Sequence, residues 1–156
     1  MREITEHGLY VVKDSFFDKF PNSTWSDNKG HRRPHYYAFH DSDGVIWLIP
    51  LSTKVDTARK TIKKFEDAHC GKECLYCHIG VIAGRERSFN ISSMFPVTAE
   101  YIERAYTIDG VPFVVNTSNL NNEVISKAKT YLNMVKRGKL YNSRNIFEIK
   151  EKLLEK

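Results

Sequence analysis

The chain has 156 residues, 41% of them hydrophobic and 28% charged, which is enough for one sizeable core and too apolar for a disordered segment. Twenty-four Lys and Arg against nineteen acids leave a net charge of +5, which permits a nucleic-acid partner without establishing one. No apolar run approaches the ~18 residues of a membrane span, so a membrane protein is not expected.

In chain order, the amino terminus carries Glu3 and Glu6 where a secretory leader would be apolar. The expected location is therefore the cytoplasm, where the three Cys stay reduced, and their odd number argues against a closed disulfide framework. Leu9 to Val12 is a short apolar strand. Asp14 can cap a helix with Phe16, Phe17 and Phe20 on its apolar face, ended by Pro21. Asn22 to Arg33 is polar and reads as a long loop of the kind that more often carries function than mere connection. Tyr36 to Phe39 and Val45 to Ile49 are strands of a hairpin turning at Asp41-Ser42-Asp43-Gly44. Asp56 caps a helix to Ala68 with Ala58, Ile62 and Phe65 on one face. Leu75 to Ala83 is a strand, Gly84 to Arg87 its turn, and Ser88 to Ile91 the returning segment. Thr98 to Tyr106 is expected as a short helix and Val111 to Val115 as a strand. Asn122 caps a long helix to Arg137, closed by Gly138, and Asn142 or Ser143 caps a last helix through Leu154. The order predicts an α+β fold, a small antiparallel barrel-like sheet with added helices, formed by residues 1–156 as a single domain.

Three stretches carry chemistry. The segment Lys29-Gly30-His31-Arg32-Arg33-Pro34-His35-Tyr36-Tyr37 combines bases, imidazoles and aromatics without an acid. Cutting RNA without a metal needs a proton acceptor for the 2′-hydroxyl, donors for the crowded phosphate and an acid for the leaving oxygen. His is poised for proton transfer near neutral pH, and Arg and Tyr supply phosphate contacts and stacking faces. The bland alternative is a solvated basic loop running into an ordinary strand. Ser52, Thr53 and Lys54 form the second stretch, two hydroxyls and an ammonium just before a helix, an anion site or simply a cap. The third is Cys70, Cys74, Cys77, His69 and His78, zinc-like in residue type but lacking the second pair of a finger or ribbon. Otherwise these Cys are small hydrophobes. Neither a phosphate-binding P-loop nor a dinucleotide fingerprint is present, which disfavours nucleotide-triphosphate and NAD enzymes.

Four segments together carry a resemblance. They are Tyr10-Val11-Val12 with the Phe-rich helix to Pro21-Asn22; Arg33-Pro34-His35-Tyr36-Tyr37; Ile46-Trp47-Leu48-Ile49-Pro50-Leu51-Ser52-Thr53; and Asn90-Ile91-Ser92-Ser93-Met94-Phe95-Pro96-Val97-Thr98. On these the chain resembles the ToxN/AbiQ-like toxins of bacterial type III toxin–antitoxin systems, within them the CptN-like branch. The resemblance implies a fold similar to the MazF/PemK/Kid toxins and a metal-independent endoribonuclease without cofactor. Such enzymes cut by 2′-hydroxyl attack, leaving 2′,3′-cyclic phosphate and 5′-hydroxyl ends. It also implies a partner: a small pseudoknotted, non-coding RNA antitoxin that the toxin cuts from a repeat precursor and holds in a closed hetero-oligomer. Cellular or phage RNA would be substrate, giving phage resistance; no DNA or membrane partner is expected.

On this reading Ser52, Thr53 and Lys54 surround the scissile phosphate, and His35, where some relatives carry Lys, transfers the proton. Lys29, Arg32, Arg33, Arg85, Arg87, Lys136, Arg137, Lys139 and Arg144 track the RNA backbone. Tyr36 or Tyr37 stacks on bases, strand alternation allowing only one of them to face the RNA. The competing readings are a non-catalytic RNA-binding regulator and a small zinc-binding module.

Overall fold

Val45 to Leu51 is an unbroken apolar run, too short for a buried helix and rich in β-formers, and it becomes the central strand of the protein. The computed structural model describes residues 4–21, 33–140 and 145–155. Among them the strands are β1 (Leu9–Val12), β2 (His35–His40), β3 (Ile46–Ser52), β4 (His78–Ile82), β5 (Arg85–Phe89), β6 (Phe95–Val97), β7 (Ile102–Ala105), β8 (Thr107–Ile108) and β9 (Val111–Pro112). The helices are α1 (Asp14–Lys19), α2 (Val55–Ala68), α3 (Ser118–Lys136) and α4 (Ile146–Leu154). Strands β1 to β7 form one antiparallel sheet, and β8 and β9 pair apart as a small hairpin. This is the α+β class expected from the sequence. The path runs β4-β5-β3-β2-β1-β7 and its two outer strands do not pair, so among the described residues the sheet is open and does not close into a barrel.

β3 organises the sheet. One edge pairs with β2 along its length; the other is shared, Ile46 to Leu48 with β6 and Leu51 and Ser52 with β5. Pro50 sits where the shared edge changes partner. A strand residue directs N and C=O to the same side, and the Pro50 carbonyl accepts the Asn90 N–H at 2.9 Å on that edge. The donor proline lacks is thus missing where no ladder bond is due, which lets a proline lie inside a central strand.

Buried rings fill the space around this sheet. Phe16 of α1 lies 5.1 Å from Phe95 and 5.5 Å from Tyr101 between ring centroids. Such aromatic pairs add ~0.5–1.5 kcal/mol each beyond their burial. Phe147 of α4 lies 6.0 Å from Trp47, and α3 packs on β2 through Tyr36 and Asn121. α2 makes a smaller core of its own, with Ala58 and Phe65 against Cys74 and Cys77.

Several boundaries differ from expectation. Ala83 and Gly84 both take positive φ, 51° and 79°, and form the β4–β5 turn, so Arg85, Glu86 and Arg87 are strand residues. Thr98 to Tyr106 is not a helix: Ala99–Tyr101 is one 3-10 turn, and Ile102 to Ala105 pair with β1 as β7. The open edge of β1 outweighs the weak local helix signal. α3 begins at Ser118 with Thr117 as cap, four residues before Asn122, because Leu120 and Asn121 are buried. α2 starts at Val55 after Lys54, leaving Asp56 in its first turn. The expected strand from Leu75 begins only at His78, and the one from Val111 stops at Pro112. The cap positions Asn142 and Ser143 lie outside the described residues; α4 opens after Asn145.

Candidate functional site

β3 ends at Ser52 and α2 begins three residues later, and this tight passage builds a small polar cavity. Ser52 Oγ accepts the Lys54 N–H at 3.1 Å, and the Thr53 carbonyl accepts the Val55 N–H at 2.9 Å. These bonds hold the turn while leaving the Thr53 hydroxyl and the Lys54 ammonium exposed. Ser52 and Lys54 line a cavity of about 230 Å³, closed by Thr57 and Thr61 of α2, Tyr76 and Cys77 before β4, and Asn90 and Ser93 after β5. Ser88 Oγ donates to Asn90 Oδ1 at 2.7 Å, which leaves the Asn90 amide nitrogen without a partner among the described residues. Nor does Lys54 make an ion pair among the described residues. Ammonium, hydroxyls and amide together can hold an oxyanion at the mouth and a planar hydrogen-bonding group inside.

Placement separates the expected residues into three groups. Ser52 and Lys54 meet in the cavity wall, with Thr53 exposed on the same turn. His35, Arg33, Tyr36 and Tyr37 are drawn into the interior. The His35 ring is 2% exposed, stands edge-on to Phe95 at 5.4 Å, and its Nδ1 has no hydrogen-bond partner among the described residues. Burial, with the positive charge of Arg33 behind it, holds its pKa down at about 3 against contrary help from the Tyr10 and Arg33 backbone, so the ring is neutral at pH 7. Tyr36 is fully buried with its hydroxyl donating to Asn121 Oδ1 at 2.6 Å, and burial pushes its pKa upward. The Tyr37 hydroxyl meets His40 Nδ1 at 3.1 Å. Alternation predicted one tyrosine outward; both are covered because β2 has packing on each face.

The third group lies apart, exposed except for the half-buried Arg87. In the β4–β5–β3 ladder Ser88 pairs with Ser52, whereas Arg87 pairs with Gly80, which faces Leu120 of α3. Strand alternation therefore turns Arg85 and Arg87 to the face of β5 opposite Ser52. Lys136, Arg137 and Lys139 are exposed where α3 ends. Lys29, Arg32 and Arg144 lie outside the described residues.

The cysteine segment does not converge. Cys70 is exposed while Cys74 and Cys77 are buried; His69 stacks on Phe65 at 4.0 Å, and His78 Nδ1 lies 2.8 Å from Lys127 Nζ. Among the described residues no three His, Cys, Asp or Glu side chains gather as a metal site. Cys77 beside it and the Tyr76 N–H, which donates to Cys74 Sγ at 3.4 Å, hold the Cys74 thiol below its ordinary pKa.

Thr57, Tyr76 and the basic face of α2 were not singled out by the sequence reading. Thr57 and Thr61 recur at i, i+4 beside the apolar face of Ala58 and Phe65, and Lys60 and Lys64 recur at i, i+4 on the side turned away from it, a periodicity visible in the sequence. Lys60, Lys63 and Lys64 border an open hollow of about 530 Å³.

No family model and no curated protein matches this sequence. The fold is shared with a solved structure described as a processed non-coding RNA regulating a bacterial antiviral system. The likeness has a TM-score of 0.60 at 17% identity and covers 93% of this chain and 96% of the other. No helix among the described residues is long and apolar enough to cross a membrane.

Proposed function

We propose that this chain is the toxin of a type III toxin–antitoxin system, of the ToxN/AbiQ-like kind and its CptN-like branch. It acts in the cytoplasm as a single-domain, metal-independent endoribonuclease against cellular or phage RNA. The observation that carries the reading is the Ser52-Thr53-Lys54 turn opening on a polar cavity. It is supported by the fold likeness to a structure in which a processed non-coding RNA regulates an antiviral system. In the reaction the RNA 2′-oxygen loses its proton and attacks the adjacent phosphorus. The bond from phosphorus to the 5′-oxygen breaks, and solvent water, which accepts the 2′-hydroxyl proton, returns one to that leaving oxygen, so the step is proton-neutral. Lys54 steadies the charge that gathers on the phosphate, and the Ser52 and Thr53 hydroxyls donate to its oxygens. His35 takes a positioning role: it pairs with Pro50 across the β2–β3 ladder and fixes the strand that delivers Ser52. The backbone of the RNA follows the basic side chains that reach solvent, Lys60 and Lys64 on one side and Arg85, the half-buried Arg87, Lys136, Arg137 and Lys139 on others. A pseudoknotted RNA antitoxin, cut from its precursor by the same site, holds the toxin in a closed hetero-oligomer.

Incubation with end-labelled single-stranded RNA in EDTA tests this. Products with 2′,3′-cyclic phosphate ends are expected, and Lys54→Ala raises the single-turnover barrier by ~3 kcal/mol, about 100-fold or more in rate and more than it costs in affinity. Binding without cleavage would instead make the chain a non-catalytic RNA-binding regulator.

A further inference from the structure

The cavity is larger than a phosphate needs. A scissile phosphate is served by Ser52, Thr53 and Lys54, yet the lining extends beyond them to the exposed Thr57 and the half-buried Tyr76, Asn90 and Ser93. The side-chain hydroxyls of Thr57, Tyr76 and Ser93 have no hydrogen-bond partner among the described residues, and the Asn90 amide nitrogen is likewise unpaired. Its partner atom, Oδ1, is fixed by Ser88 Oγ at 2.7 Å, so the amide is held with its donor toward the cavity. The Tyr76 ring is itself fixed, edge-on to Phe65 at 4.9 Å and to Tyr131 at 6.3 Å. A volume of about 230 Å³ lies below the roughly 300–1,000 Å³ of a site for a drug-sized ligand. It suits one planar heterocycle, not two.

We infer that this cavity is a single-base subsite, which takes the unstacked nucleobase next to the scissile phosphate and reads its edge through Asn90 and Thr57. The inference rests on the endoribonuclease reading above and adds to it the residues that set sequence preference. Its chemistry follows from the groups present. Single-stranded RNA is read on the exposed edges of splayed bases, and an amide with neighbouring hydroxyls offers both donors and acceptors to such an edge. Lys54 at the mouth fixes the phosphate, so the base beside it falls at a constant distance from the cavity wall. Asn90 lies in the turn that follows β5, its N–H bonded to the Pro50 carbonyl at 2.9 Å. The reader and the hydroxyl turn after Pro50 are thus tied to one strand, β3.

The test is cleavage of a random-sequence RNA pool by the unaltered protein, by Asn90→Asp and by Thr57→Val, with the cut sites sequenced. Asn90→Asp turns the inward donor into an acceptor; Thr57→Val removes a hydroxyl at nearly constant shape. Each is expected to change the preference at one position beside the cut by about 5-fold or more, the scale of one lost edge contact, while other positions keep theirs. Variants that cut with the profile of the unaltered protein overturn the subsite. So does a variant that keeps its melting temperature and loses cleavage at every sequence alike, since that marks a rate effect and not a reading one. If the unaltered protein cuts no sequence in the pool, the endoribonuclease reading itself falls, a result distinct from either.

Discussion

At pH 7 the His35 imidazole is neutral inside the protein, and this has a direct consequence for stability. Its pKa is lowered to about 3 by burial and by Arg33, whereas an unfolded chain protonates it near 6.5. Above 6.5 both states are neutral and the group contributes nothing to pH dependence. As pH falls below 6.5 the unfolded state binds a proton that the folded state refuses, so stability is lost, by ~1.4 kcal/mol per pH unit, down to about 3. We expect His35→Gln to lose less stability than the unaltered protein between pH 7 and pH 5, by ~2 kcal/mol, read from urea midpoints. Equal acid sensitivity would show that His35 is not the buried neutral group described. The same placement predicts that any inflection of cleavage rate near neutral pH survives His35→Gln, because a ring edge-on to Phe95 does not exchange protons with RNA at the surface.

Two contacts between elements are open to mutation. Gly80 of β4 leaves no room for a side chain: a Cβ there would stand 2.5 Å from Leu120 Cδ1 and 3.2 Å from Phe89 Cε1. Leu120 can swing aside for a methyl but not for a branched group. Gly80→Val should therefore cost ~1–3 kcal/mol, and Leu120→Ala in the same chain should return part of it, a coupling that a double-mutant cycle in urea measures. The β2–β3 hairpin is tied to α4 through Lys150, whose ammonium lies 2.8 Å from both Asp41 and Asp43. Asp41 also accepts from Trp47 Nε1 at 3.1 Å. Burial would raise the Asp41 carboxyl, but the bonds from Lys150, Trp47 and the Val45 N–H outweigh it and hold the pKa below the usual value. A lowered carboxyl stabilises above its unfolded pKa and loses that contribution as pH falls through the folded one. Asp41→Ala should cost ~1–3 kcal/mol at pH 7 and remove this acid-side loss, with calorimetry across pH 7 to 3 as the measurement.

At the scale of the molecule, the basic side chains of the proposed RNA path that lie among the described residues are spread over several faces, not gathered in one patch. Lys54, Lys60 and Lys64 lie on and before α2, Arg85 and Arg87 on the far face of β5, and Lys136, Arg137 and Lys139 at the end of α3. An RNA that touches several of these must wrap more than one face, which favours a folded RNA over a short single strand. Counterion release then makes binding of a structured RNA steeper in salt than binding of a short oligomer. The log–log slope changes by about 0.7 to 0.9 for each phosphate neutralised. Filter binding across salt concentrations reads both slopes, and equal slopes would confine the RNA to one face.

Local chemistry determined much of this protein without help from the fold. The apolar run from Val45 marked β3, the Asp41–Gly44 turn marked its hairpin, and the spacing of Ala58, Ile62 and Phe65 marked α2, because turns and amphipathic periods act between near neighbours. The Ser52-Thr53-Lys54 turn was legible for the same reason: it is the short joint between two elements that were each readable. What sequence could not decide was which polar residues the packing would cover. His35, Tyr36 and Tyr37 have the composition of an RNA-facing strand, yet β1, β3, α3 and Phe95 close over them. Nor could it place Asn90 and Tyr76 beside Lys54, or turn Arg87 away from it. Those outcomes depend on strand register and on helices returning across the sheet. Both are set by contacts between residues far apart in the chain, and only the assembled tertiary structure brings those residues together.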